Sequence, residues 1–169
     1  MIASLRNPRL SLVCFDLGGQ RYAIAASHVE RILPIAEVEA VPGSPPLLHG
    51  FLNLAGSTLP VVRLNRLFEL PETPLGLWTP LIVLRRTEQR FALLVDKVTQ
   101  VLVIDEQHLR PLPAESAFND CVLGIVRYNG TSMMVLAAER LLLKKERLAL
   151  SSFQMLAEAR LNQLEGVEA

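Results

Sequence analysis

Nineteen residues of this chain, Gly50 to Phe68 (GFLNLAGSTLPVVRLNRLF), align without a gap onto Gly124 to Leu142, 74 residues further on. Gly50 falls on Gly124, Gly56 on Gly130, Val61 on Val135, Arg66 on Arg140 and Leu67 on Leu141, with apolar residues at most positions between. A second match precedes it: Gln20–Leu33 lies on Gln89–Leu102 at a distance of 69 residues, so five residues were added between the two blocks. The addition falls in residues 105–120, the longer counterpart of 35–46, and lengthening a surface loop costs little free energy. A duplicated pattern demands two similar structural units.

Each unit reads as β-rich. An alternating strand opens it (LSLVCFDL, or TPLIVLRR in the second copy), followed by a turn and a second strand carrying Tyr22 or Phe91. Gly18-Gly19 suits a tight hairpin turn, because glycine reaches positive φ without a side-chain clash. ASHVERI and VDKVTQV read as a helical turn leading into a strand. Next come strand, glycine turn and strand, with Gly56 and Asn129-Gly130 at the turns. Leu64–Leu70 and Ala138–Lys144 finish each unit as a short helix, stopped in the first copy by Pro71.

Five short strands closed into a barrel leave no exposed sheet edge. The expected fold is therefore mainly β: two similar five-stranded barrels side by side, joined near PETPLGLWTP, with short helices. The barrel region is expected over 10–144, as subdomains of about 15–70 and 80–144 intertwined at the termini, with a helical extension over 145–169. In that extension Phe153, Leu156, Leu161 and Leu164 recur at near-helical spacing, Ser151 and Gln154 form a capping-box pattern, and Gly166 ends the helix. This amphipathic helix is expected to pack on the chain's own barrels; docking on a partner or a second copy is the alternative.

At 169 residues a globule hides roughly 70% of its unfolded surface. Its longest apolar runs, such as ALLV and MMVLAA, are far shorter than the ~20 residues that span a bilayer. Seventeen Lys plus Arg balance seventeen Asp plus Glu, so no net positive field draws nucleic acid. The N-terminal segment passes into an alternating strand with no apolar signal stretch, which predicts a soluble, intracellular protein. Cys14 and Cys121 read as small buried hydrophobes rather than a metal or redox pair.

Chemistry is poorly supported. There is no Gly-x-Ser-x-Gly elbow, no phosphate-binding glycine loop and no His-Glu-x-x-His. His28, His49 and His108 are not spaced as metal ligands on one element. Asp96 reads as the cap of a helical turn, since Ser27 matches it in the first copy. Arg85, Arg86 and Arg90, with Glu88 between them, read as a solvated turn. Leu77-Trp78 in the Pro-rich linker is expected to plug the seam between the barrels, an exposed binding anchor being the alternative. No enzyme activity, cofactor or metal is expected.

With these elements in place, VPGSPPLLHGFLNLAGSTLPVVRLNRLFEL, followed by LIVLRRTEQRFALLVDKVTQVLVIDEQHLRPLP and CVLGIVRYNGTSMMVLAAERLL, resembles the CheW-like domain over roughly Leu10 to Leu143. The resemblance implies paired SH3-like barrels acting as a non-catalytic adaptor, which couples a methyl-accepting chemoreceptor to a CheA-type histidine kinase at receptor arrays of the inner membrane. It implies that the first barrel meets the kinase's regulatory domain, and that the receptor tip lies between barrels. The family's Asn-Leu-Arg-Gly turn stands here as Asn53, Leu54, Ala55 and Gly56, without its arginine. The family's acidic positions stand here as Arg31 and Arg63. Val29, Ile32, Leu54 and Leu59 are implied as the apolar part of a contact, with about half of them expected to be barrel core. These charge changes predict a specialised pathway with its own receptor and kinase. Assembly through the C-terminal helix and a small ligand between the barrels are the competing readings.

Overall fold

The computed structural model describes residues 8–35, 38, 43, 45–54, 56–85, 90–112, 121–142, 152, 154–156 and 158–159. Among them the strands are β1 (Arg9–Leu17), β2 (Gln20–Ala25), β3 (Val29–Pro34), β4 (Leu48–Leu54), β5 (Ser57–Arg63), β6 (Pro80–Leu84), β7 (Phe91–Leu94), β8 (Lys97–Asp105), β9 (Val122–Tyr128) and β10 (Thr131–Leu136). A short helix, α1, covers Leu64–Leu67, 3₁₀ turns cover Ala26–His28, Glu106–His108 and Ala138–Arg140, and the described residues of the C-terminal extension, 152, 154–156 and 158–159, are helical.

The strands form two five-stranded sheets, ordered β8-β1-β2-β10-β9 and β3-β6-β7-β5-β4. The orders are identical once each strand is exchanged for its repeat partner. The barrels nevertheless do not coincide with the copies. The chain begins in the first sheet, crosses at the 3₁₀ turn Ala26–His28, stays in the second sheet from β3 to β7, and returns at Val95–Asp96. One barrel is thus a continuous stretch from Val29 to Leu94, and the other is assembled from both ends. The expected division at about 15–70 and 80–144 follows the repeat, whereas the sheets follow these two crossings.

Pairing between copies is repeated as well. β10 runs parallel to β2, with Val135 opposite Ala23, and β5 runs parallel to β7, with Val61 opposite Ala92. Arg110 closes the first sheet beyond β8: its N–H donates to Ile125 O at 2.9 Å, and the Ile125 N–H donates back at 2.7 Å. This close approach explains Gly124, because a Cβ there would lie 2.5 Å from Arg110 O.

Alternation along each strand sorts residues between two cores. On β1 and β2, Leu12, Cys14 and Ala23 point into the first barrel, while Val13, Phe15, Leu17, Tyr22 and Ile24 point into the seam. On β6 and β7, Leu81, Val83, Ala92 and Leu94 fill the second barrel, and Ile82, Leu84, Phe91 and Leu93 face the seam. Strands buried on both faces read as nearly continuous apolar runs. The seam is one shared apolar core, which welds the barrels together.

Two local expectations differ from the structure. VDKVTQV contains no helical turn: Asp96 is a bend and β8 begins at Lys97. The closing helices are shorter than expected, α1 ending at Leu67 and the second copy having the 3₁₀ turn Ala138–Arg140 among its described residues. Most of the C-terminal extension, including Ser151, Phe153, Leu161 and Leu164, lies outside the described residues. Gln154 is described, and its side-chain amide donates to Thr58 O at 2.7 Å.

Candidate functional site

Of the contact residues singled out from sequence, those that the structure describes fall on the barrel of Val29–Leu94, on strands β3, β4 and β5 and at the turn between β4 and β5. β3 and β4 are the outer strands of that sheet's order. The register between β3 and β6 shifts between Val29 and Arg31, a bulge that breaks alternation and leaves Arg31 and Ile32 exposed in succession. Ile32 is 40% exposed, and Val29 is half-buried against the seam core. Glu30 is clasped by Arg90, whose Nε and Nη2 donate to its two carboxylate oxygens at 2.7 and 2.6 Å. Arg31 Nη2 lies 3.8 Å from the same carboxylate. Arg90 already answers the Glu30 charge, so the edge carries an excess positive charge at Arg31.

At the β4–β5 turn, Asn53 is exposed, Leu54 is half-buried, and Gly56 holds φ +86. Ala55 lies outside the described residues. Leu59 points into the barrel at 1% exposure, so it belongs to the core and not to an outer contact. Arg63 is also no surface cation: it is 7% exposed, and its Nη2 donates to Thr73 O at 2.8 Å.

Arg63 belongs to a polar strap that fastens the linker to both barrels. Asn65, buried on α1, donates to Pro71 O at 2.8 Å. Thr73 Oγ1 donates to Asp96 Oδ1 at 2.8 Å, and Asp96 Oδ2 accepts the Gly18 N–H at 2.8 Å. Asp96 therefore does not cap a helix. It joins the β1–β2 hairpin, the linker and the crossing between β7 and β8. Arg66 Nε donates to Glu72 Oε1 at 2.6 Å, and this bond is the chief cause holding the Glu72 carboxyl below its usual range. Burial, and then the Arg63 and Arg66 charges, lower His49, with Glu72 opposing them. Asn65 and Thr73 carried no motif that marked them in the sequence; only the folded chain brings them to Asp96.

Leu77 and Trp78 do not plug the seam. They are 84% and 86% exposed at the tip of the linker, and the seam is filled by the strands themselves. Neither Cys14 nor Cys121 forms a disulfide. Among the described residues, no group of three or more His, Cys, Asp or Glu is placed to hold a metal ion, and no helix is long and apolar enough to cross a membrane.

Twin β-barrels sharing a core, with polar residues spent on internal fastening and outer strands bearing mixed apolar and charged side chains, define a scaffold class. The chain matches the CheW-like domain family over residues 11–146, and it belongs to that family. Chemotaxis protein CheW of Treponema pallidum is 22% identical over 149 residues, covering 85% of this chain and 88% of the relative. Those of Helicobacter pylori and Klebsiella aerogenes are 26% and 28% identical, each covering 80% of this chain and 82% of the relative. The fold is also that of scaffolding protein TtCheW from Thermoanaerobacter tengcongensis, with a TM-score of 0.75 at 22% identity, over 83% of this chain and 92% of that one. Membership of this family makes the chain a non-catalytic adaptor.

Proposed function

We propose that this chain couples a methyl-accepting chemoreceptor to the regulatory domain of a CheA-type histidine kinase, within receptor arrays at the inner membrane. The observation that carries this reading is the family match, which spans both barrels. The proposed contact residues are Val29, Arg31 and Ile32 on the outer strand β3, and Asn53, Leu54, Ala55 and Gly56 from the segment that joins β4 to β5. Two half-buried or exposed aliphatic residues beside a cation form a small apolar centre with a charged rim, the common anatomy of a protein contact.

The same edge supports a specialised pathway. Arg31 stands where the family resemblance implies an acidic residue, and like charges juxtaposed across an interface cost several kcal/mol. A kinase complementary to an acidic edge therefore binds this chain poorly. Pull-down against a CheA-type kinase of an ordinary chemotaxis system and against the kinase encoded beside this gene tests both levels. Binding to neither defeats the adaptor reading; equal affinity for both defeats the specialisation alone. Arg31→Glu is expected to improve binding to the ordinary kinase by tenfold or more.

The described part of the C-terminal segment favours packing on the chain's own barrel, through the Gln154 bond to Thr58 O. Deleting residues 145–169 is expected to leave the partner contact intact.

A further inference from the structure

Trp78 is the chain's single tryptophan, and its exposure is built in. The turn beneath it is closed by the Gly76 N–H donating to Thr79 Oγ1 at 2.8 Å and by the Thr79 N–H donating to Gly76 O at 3.2 Å. Its base is tied to the barrel, where Thr79 O accepts the Ile35 N–H at 2.6 Å. Pro74 and Pro80 restrict the chain on either side. No charged residue occurs from Thr73 to Leu84, so the tip can leave water without stranding a charge. An aromatic ring carried on a braced, uncharged turn loses little backbone entropy on docking, and such rings dominate binding energetics.

The same chain carries a pocket of matching size and chemistry. A cavity of about 240 Å³ opens beside the seam, walled by Tyr22, Phe68, Leu70, Val122, Met134 and Leu136. An apolar cavity of roughly 150 Å³ holds one benzene ring, so this one suits a single bicyclic ring and nothing as wide as a helix. Phe15, Tyr22 and Phe68 form an aromatic ladder with centroid separations of 6.1 and 5.9 Å, which a further ring in the pocket would extend. Gln20 stands at the mouth, and the Tyr22 hydroxyl donates to Gln20 Oε1 at 3.2 Å. The phenol oxygen keeps lone pairs to accept an indole N–H.

We propose that this pocket receives the Trp78 indole of a second copy of the chain. Trp78 does not occupy its own pocket, since it stands exposed. Tip and pocket are different surfaces, so a contact made once between two copies is head-to-tail and generates a ring or an open row, whereas two copies that exchange tips form a closed pair. The proposal goes beyond the adaptor reading and does not depend on it, because neither receptor nor kinase takes part.

Because Trp78 is the only tryptophan, fluorescence of the full chain reports on it alone. Raising the concentration from micromolar to millimolar is expected to shift the emission to shorter wavelength, with the average mass in light scattering rising in step. Trp78→Ala keeps the pocket and lacks the anchor; Met134→Phe keeps the anchor and obstructs the pocket. Each alone is expected to associate at least tenfold more weakly, and mixing the two is expected to restore the shift as one-to-one pairs. Gln20→Phe, at the exposed mouth, repeats the obstruction should Met134→Phe disturb the core. Emission independent of concentration overturns the proposal. So does a shift that survives both obstructing variants, or a mixture that stays monomeric.

Discussion

Arg31 and Arg63 both stand where the family resemblance implies acidic residues, yet the fold gives them opposite work. Arg31 looks outward from a bulged edge, whereas Arg63 is buried and holds the linker through Thr73 O. Arg63→Met is expected to lower folding stability by about 1–3 kcal/mol, the worth of its charge-assisted hydrogen bond to Thr73 O, and to leave partner affinity unchanged. Urea denaturation and pull-down together check this; a loss of affinity without a loss of stability would return Arg63 to the contact surface. His49 carries a second prediction. Burial and the two arginines lower its imidazole below the ordinary 6.5, so the neutral form is the one the fold prefers. The unfolded chain then takes up the proton first as pH falls. The His49 contribution is therefore complete above about pH 6.5 and declines as pH falls through 6.5 toward the lower folded value. The urea midpoint is expected to drop between pH 7.5 and 5.5, and to drop less in His49→Gln; equal drops in both proteins would refute the assignment.

Among the elements, the hairpins were the most legible in the sequence. Gly18-Gly19 and Asn129-Gly130 turn β1 into β2 and β9 into β10 with positive φ at both central positions, as their residue types require. The crossing at Val95–Asp96 has the sequence pattern of a helical turn and the structure of a bend, because a carboxylate before an apolar alternation is the same whether it caps a helix or bonds to distant groups. Its real partners, Gly18 and Thr73, lie 78 and 23 residues away. Asp96→Ala is expected to cost about 1–2 kcal/mol, because the Gly18 N–H and the Thr73 hydroxyl lose their acceptor together. Hydrogen exchange at the Gly18 amide should quicken with it. Unchanged exchange there would mean that the strap does not hold the hairpin. The linker tip departs from expectation for a related reason: an aromatic between prolines carries no sign of whether the seam has room for it, and the strands fill that seam.

For the whole molecule, the topology makes the two repeats inseparable. Cutting the linker between Pro74 and Thr79 divides both sheets at once, leaving β1 and β2 apart from β8–β10, and β3–β5 apart from β6 and β7. Residues 1–74 and 79–169 are therefore each expected to lack folded structure alone and to regain native β circular dichroism when mixed; independent folding of either half would contradict the shared sheets. The amino-acid sequence by itself determined the duplication, the strand periodicity, the turn positions and, through the family resemblance, the adaptor class. These depend on local spacing and on residue types that recur in order. Only the tertiary structure decided that strands exchange between copies, that Leu59 and Arg63 turn inward, and that Trp78 remains outside. Each outcome depends on which of two nearly equivalent apolar faces meets which neighbour. A two-residue alternation is the same on both faces, so the choice is made by packing between segments far apart in the chain.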